Sequence, residues 1–432
     1  MKESGVEWIG EIPDHWKTAK IRRLTLVKRG ASPRPIDDPK YFDDDGEYSW
    51  VRISDVSASK KYLETTEQRL SLLGKSLSVA LEPRAVFLSI AGSVGKPIIA
   101  KIKCCIHDGF VYFPQYRDNS EFLFYVLSSG APFGGLGKLG TQLNLNTDIV
   151  GDIPIPLPPL QEQERIVSFL DGETARIDEL ISKKQRQIEL LEEKRTAIIT
   201  RAVTKGLNPN AKMKDSGVAW IGEIPERWEM AELRRRWNVI DCKHQTAEYI
   251  DEGYPVISTT EVKPGRLSLE TKRRTTEVFY RSLTDGGRRP HSGDIIYSRN
   301  ASLGVASYVE TEEPFCMGQD VCLIKSEQEN QLFLTYYLNS PVTQHQIQTD
   351  SIGSTFSRIN VEQIRKLMIC CPPATEQQAL ADFFDGETSR IEYLIGRIAE
   401  SIKVLLEYRS SLITAAVSGQ IDVPTMKNGT DQ

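Results

Sequence analysis

No stretch of this chain approaches the roughly 18–20 uncharged apolar residues that a membrane-spanning helix requires. Cysteine is sparse: seven in 432 residues, with two adjacent pairs (Cys104–Cys105 and Cys370–Cys371) and no C-x-x-C spacing. That excludes the disulfide framework of a small secreted domain and fits a reducing cytoplasm. Residues 1–16 carry acidic side chains and lack an apolar signal core, so export is not expected. Histidine is rarer still, with five residues and no arrangement that resembles a catalytic triad. Cys104, Cys105 and His107 lie close in sequence, but strand alternation would turn them to different faces. Cys316 and Cys322 lack partners at zinc-finger spacing. An excess of basic residues is also missing: the formal net charge is −5. A nucleic-acid binder of this composition must concentrate its cations in patches or share the electrostatic work with a partner.

Enzymatic signatures fail on inspection. Gly74-Lys75-Ser76 resembles the end of a phosphate-binding loop, but the glycine required five residues earlier is Arg69. Base-amino methyltransferases use an Asn/Asp-Pro-Pro-aromatic loop. The Pro-Pro pairs here sit in Leu157-Pro158-Pro159-Leu160 and Cys371-Pro372-Pro373-Ala374. Glu270-Thr271-Lys272 is too short a fragment of a nuclease motif to inform. No catalytic residue, metal ligand or cofactor is assigned to this chain.

What is present is a duplication. Ser4-Gly5-Val6-Glu7-Trp8-Ile9-Gly10-Glu11-Ile12-Pro13 returns as Ser216-Gly217-Val218-Ala219-Trp220-Ile221-Gly222-Glu223-Ile224-Pro225, each followed by a second tryptophan, Trp16 and Trp228. Asp171-Gly172-Glu173-Thr174 returns as Asp385-Gly386-Glu387-Thr388 at nearly the same offset. Two distant anchors that keep one spacing mean a module written twice. The tryptophans read as packing residues that lock the start of each module.

Each copy has two parts. Residues 1–155 and 209–370 carry short β-branched runs broken by Gly, Pro, Asp and Ser, such as Tyr48 to Ile53, Ala85 to Ile90 and Phe110 to Phe113. Their counterparts are Tyr254 to Ile257, Asp294 to Tyr297 and Asp320 to Ile324. Helices are predicted over Glu121 to Leu127 and Gln331 to Leu338, which makes each part an α+β domain. Residues 156–208 and 371–432 are instead helical. After each Pro-Pro pair comes a proline-free run of Glu, Lys, Gln, Arg, Leu and Ile that predicts a helix roughly 60–70 Å long. Asp171-Gly172 and Asp385-Gly386 would break or kink these helices near their starts.

The helices carry a heptad stripe. Leu170, Ile177, Lys184, Leu191 and Ile198 are spaced by seven, with Thr174, Ile181, Ile188, Arg195 and Ala202 four residues on. The second copy gives Phe384, Ile391, Ile398, Leu405 and Leu412 beside Thr388, Ile395, Ile402, Arg409 and Ala416. Most are apolar, as a coiled-coil seam requires, and Lys184, Arg195 and Arg409 could set register. The economical arrangement pairs the two helices antiparallel, with pseudo-two-fold symmetry; the alternative packs each helix on its own domain.

Two related but unlike domains at fixed separation suit a long ligand read at two points. The rod is on the scale of one to two turns of duplex DNA, at ~34–36 Å per turn. Candidate DNA contacts in the first domain are Lys28, Arg29, Arg34, Lys60, Lys61, Ser93, Lys96, Lys138, Thr141, Gln142 and Asn144. In the second they are Lys243, Lys263, Arg273, Arg288, Arg289, Arg299, Asn300, Thr355, Ser357 and Arg358. Arg and Lys hold phosphates, while Arg, Asn, Gln and Ser can read base edges. The loops 138–146 and 354–360 place different polar side chains at equivalent positions, as two readers of different sequences would. The Gly92-Ser93-Val94-Gly95-Lys96 segment could wrap a phosphate or be a plain strand turn.

With the repeat, the helices and the segments Pro158-Pro159-Leu160-Gln161-Glu162-Gln163 and Pro372-Pro373-Ala374-Thr375-Glu376-Gln377 in view, the chain resembles the specificity subunit of Type I restriction-modification systems over nearly its whole length. The resemblance implies two target recognition domains, each reading one half of a split double-stranded DNA site. It also implies helices that set the spacer and dock two methyltransferase subunits, which bind S-adenosylmethionine, and motor-nuclease subunits that complete the complex. A coiled-coil scaffold whose domains bind proteins is the alternative of a different class.

Overall fold

The computed structural model describes residues 1–136, 145–300, 302–350 and 358–423. The chain divides into two units, one of Met1–Lys184 with the segment from Ala399 onward, the other of Gln185–Ile398. Each unit holds one α+β domain and a portion of both long helices.

In the first unit a five-stranded sheet runs in the order Lys28–Arg29, Phe110–Tyr112, Val86–Ser89, Pro97–Ala100, Tyr62–Leu63. Only Tyr62–Leu63 runs parallel to its neighbour, because it arrives by a crossover and not by a hairpin. A four-stranded sheet orders Gln68–Leu70, Tyr48–Val51, Cys104–Ile106 and Val79–Leu81. The second unit repeats the five-stranded order as Asn238–Asp241, Val321–Lys325, Ile295–Ser298, Ala306–Tyr308, Gly265–Arg266, again with one parallel edge. Its smaller sheet has three strands, Arg274–Thr275, Tyr254–Ile257 and Cys316–Met317. Central strands are buried along their whole length, which is why they read as continuous apolar runs. Helices Ser120–Ser128 and Gln331–Leu338 cover the sheets, with Asn119 and Asn330 as their N-caps.

The predicted strand at Tyr48 to Ile53 ends sooner, at Val51. The Asp55 carboxylate accepts the Arg52 backbone N–H at 2.7 Å and starts a helix over Ile53–Ala58.

Each module closes on itself through a small ladder. Lys17–Lys20 pairs with Pro154–Leu157, and Glu229–Glu232 pairs with Met368–Cys371. The Pro-Pro pair then ends the ladder and opens a long helix, Leu160–Lys205 in the first copy and Ala374–Val417 in the second. Both helices run unbroken through Asp171-Gly172 and Asp385-Gly386, contrary to the expected break. A side chain added at Gly172 or Gly386 would meet no atom within 4 Å, so neither glycine answers a close approach.

In the first unit Leu170, Ile177 and Ile181 are buried, with Leu412 from the second helix; Ile402 and Leu405 are half-buried against the same core. There Arg409 Nε meets Asp178 Oδ1 at 2.9 Å. In the second unit Phe384 and Ile391 are buried, while Ile188, Leu191, Ile198, Ile395 and Ile398 are half-buried. Arg195 Nη1 lies 3.7 Å from Glu392 Oε1. No helix among the described residues is long and apolar enough to cross a membrane.

Candidate nucleic-acid interface

The residues shared by both copies build a frame. The indole N–H of Trp16 donates to Glu162 at 2.7 Å, and that of Trp228 donates to Glu376 at 2.9 Å. Both indoles are buried, so each needs a partner of this kind. Buried Gln163 turns its amide back to Pro158 O at 2.9 Å and accepts Asn119 N–H at 3.2 Å. Gln377 repeats both bonds with Pro372 O and Asn330 N–H, each at 2.9 Å. The Glu-Gln pair after each Pro-Pro therefore fastens the long helix to the tryptophan segment and to the domain helix.

The Asp-Gly-Glu-Thr repeat is a second fastening. Asp171 takes the Lys61 ammonium and the Tyr125 hydroxyl. Asp385 takes Arg266 at 2.8 Å and the Tyr336 hydroxyl at 3.3 Å, and Thr388 lies 3.1 Å from that same hydroxyl. Arg266 holds the Asp385 carboxyl below the ordinary aspartate range. Lys61, a candidate DNA contact by sequence, is thus engaged within the fold. Its side chain is only 14% exposed, with Asp171 and Glu121 as counter-charges and the rings of Tyr62, Phe124 and Tyr125 around it. A cation so enclosed is committed to the fold. Lys60 beside it is exposed, 3.7 Å from Asp178.

At the loop rim of the first unit, Asp108 gathers three groups. Ser32 donates its hydroxyl at 2.8 Å, Arg34 pairs with the carboxylate at 3.2 Å, and Arg29 donates Nε to the backbone carbonyl at 2.5 Å. The Ser32 hydroxyl above all, helped by both arginines, holds the Asp108 carboxyl below its usual range. His107 accepts the Gly109 N–H on Nδ1 at 2.9 Å and packs against Phe110; burial pushes its pKa down, keeping it neutral. The glycine-containing segment 90–96 is the turn between two strands of the five-stranded sheet. Ser93 lies 2.6 Å from the Ser57 hydroxyl, and Lys96 donates to Ser57 O at 2.9 Å. Lys28 stands exposed on the edge strand.

The second unit keeps the backbone of this turn. Ser89 and Ser298 each send a hydroxyl to the carbonyl two residues on, at 2.7 and 2.9 Å. Gly95 and Gly304 return their N–H to those same serines at 2.8 and 3.1 Å, each with positive φ. The side chains differ. Where the first copy has Ile90, the second has Arg299, which is 5% exposed, paired with Asp241 and bonded to Ile359 O at 3.3 Å. Arg299 too is an internal cation and not a surface contact. Asp320, in the left-handed region at φ 60°, receives Arg358 at 2.7 Å and Asn300 at 3.4 Å. Lys243 donates to Ser282 O at 3.0 Å, and Arg288 donates to Asp241 O at 2.9 Å. Arg289 and Lys263 are exposed, and Arg273 reaches Glu261 at 4.0 Å. Lys138, Thr141, Gln142, Asn144, Thr355 and Ser357 lie outside the described residues.

The structure thus brings Arg29 with Arg34, Ser93 with Lys96, and Arg299, Asn300 and Arg358 into three groups. Reading the cations alone missed their carboxylate partners, Asp108, Asp241 and Asp320. Arg299 and Asp241 stand 58 residues apart, beyond any local pattern. Asp241, Cys242 and His244 have ligand atoms within 4.8 Å of one another. The Arg299 cation paired with Asp241 competes with a metal ion for that carboxylate.

A family model, the Type I restriction modification DNA specificity domain, matches residues 13–190 and again residues 236–402. The chain belongs to this family. As a specificity-domain protein it is 24% identical over 395 residues to the Type I restriction enzyme MjaVIII specificity subunit of Methanocaldococcus jannaschii, covering 88% of each chain. Against the EcoBI specificity subunit of Escherichia coli it is 22% identical over 294 residues, 65% of this chain and 61% of that one. A chain solved in work on complex assembly and conformational transition of the type I R-M system superposes with a TM-score of 0.71 at 17% identity, over 95% of this chain and 100% of that one. The HsdS subunit from Thermoanaerobacter tengcongensis gives a TM-score of 0.53 at 17% identity, over 98% and 100%. These likenesses show a shared fold.

Proposed function

We propose that this specificity-domain protein is the non-catalytic DNA-recognition subunit of a type I restriction-modification complex. Each α+β domain reads one half of a split, asymmetric double-stranded site, and the paired helices set the spacer between the halves. The observation that carries this reading is one frame built twice with unlike rims. The Trp–Glu, Gln–Pro and Asp–Tyr bonds recur bond for bond, whereas the turns after Ser89 and Ser298 share their serine and glycine bonds and differ in side chains, Ile90 against Arg299. Equal scaffolds with unequal polar contents suit two sensors of different sequences.

The helices dock two methyltransferase subunits, which carry S-adenosylmethionine and perform the chemistry, and motor-nuclease subunits complete the assembly. Supporting this, Leu190, Tyr393, Val404, Leu406 and Tyr408 are about half exposed on faces of the helices that point away from the seam. Co-expression with the methyltransferase partner, followed by genome-wide mapping of methylated bases, tests the proposal. A two-part motif that changes on one side only when one domain is exchanged is expected. A continuous motif, or no dependence of methylation on this chain, overturns it.

A further inference from the structure

We propose that Arg358 reads a guanine in the half-site of the second domain, and that Asp320 is the positioning residue that aims it. The inference rests on the specificity-subunit reading. Arg358 is held through its backbone and through its side chain. Its backbone forms a β-bridge with Asn300, and the next residue, Ile359, donates its N–H to Arg299 O at 3.0 Å. Arg299 beneath is buried on Asp241, so residues 358 and 359 rest on a fixed base. The side chain, 46% exposed, is gripped at one nitrogen by Asp320 Oδ1 at 2.7 Å.

A guanidinium carries five N–H donors in a planar fork. One held at a carboxylate keeps enough of them for the O6 and N7 acceptors that only guanine presents together in the major groove. The carboxylate restricts the side chain beforehand, so less rotamer freedom is lost on binding. A phosphate contact would fix position without reading a base, so its loss would weaken methylation and leave the motif unaltered. Asp320 holds its carboxylate there at the cost of a left-handed backbone, φ 60°.

The test uses the full chain with its methyltransferase partner, and methylated motifs are mapped for Arg358→Ala, Arg358→Lys and Asp320→Asn. Asparagine tolerates the left-handed region, so the last variant removes charge and spares the backbone. Discrimination at one G·C position of one half-site should fall roughly 5- to 150-fold in Arg358→Ala, and by less in Arg358→Lys, whose ammonium lacks the planar fork. Asp320→Asn should relax the same position, with the other half-site unchanged in all three. Uniformly weaker methylation of an unaltered motif would mark a phosphate contact and overturn the proposal. So would no change in any variant, or relaxation in both half-sites at once. If the unmutated complex yields no two-part motif, the specificity reading fails first, and separately from Arg358.

Discussion

At the scale of single residues, the frame depends on a few polar groups whose partners are far off in sequence. Lys61 reaches Asp171 across 110 residues, and Tyr125 reaches it across 46. Replacing Lys61 with Met leaves Asp171 with the Tyr125 hydroxyl and solvent but no cation, and should cost about 0.5–1.5 kcal/mol, read as a lower urea midpoint at unchanged slope. Asp385 makes a pH prediction. Its folded pKa lies below the ordinary value, so the unfolded chain binds the proton more readily, and the latch stabilises above about pH 3.9. That contribution is lost as pH falls through the lower folded value. Asp385→Asn should therefore flatten the acid limb of stability against pH; an unchanged limb would show that Arg266 does not hold the carboxylate. The duplicated Asp-Gly-Glu-Thr was visible in the sequence, but its role was not. A glycine beside an aspartate signals a helix break locally, and only the tertiary partners show why the aspartate is there.

At the scale of elements, periodicity carried most of the information. The heptad stripe located both seams, because side chains every three and four residues must share one face whatever surrounds them. The half-buried positions between 184 and 198 follow that stripe residue by residue. Strand ends were less legible. Arg52 and Asp55 turn a β-branched run into a helix through one side-chain bond that composition does not announce. Since both helices pass straight through their glycines, Gly172→Ala and Gly386→Ala should each raise stability by about 0.5–1 kcal/mol. Thermal melts that fall instead would place a bend there. A contrast along one helix separates seam from outer face. Ile188→Asp should destabilise the isolated chain by about 2 kcal/mol or more. Leu190→Asp should shift it by less than about 0.5 kcal/mol while weakening methyltransferase capture in a pull-down.

At the scale of the whole molecule, the charge balance of −5 constrains how DNA is held. Several of the cations that sequence reading set aside for phosphates are neutralised by neighbours, Lys61 by Asp171 and Arg299 by Asp241 among them. The isolated chain should therefore bind its duplex only weakly at physiological salt, and added methyltransferase should tighten binding; fluorescence anisotropy across a salt series measures both. The duplication made the architecture legible from end to end. The individual rim contacts were not, because they depend on which acidic group folds against which basic one.

Every thiol of the chain is buried and unpaired, and burial drives each above its usual pKa, Cys104, Cys105, Cys316 and Cys371 to about 12. Two of them, Cys104 and Cys105, lie in the first unit and the other five in the second. An alkylating reagent added to the native protein finds neither access nor thiolate. The cysteines thus form a two-channel gauge of opening. Mass increments on Cys104 and Cys105 date the exposure of one unit and those on Cys242, Cys316, Cys322, Cys370 and Cys371 date the other, so a stepwise ladder of adducts would reveal which half of the molecule yields first.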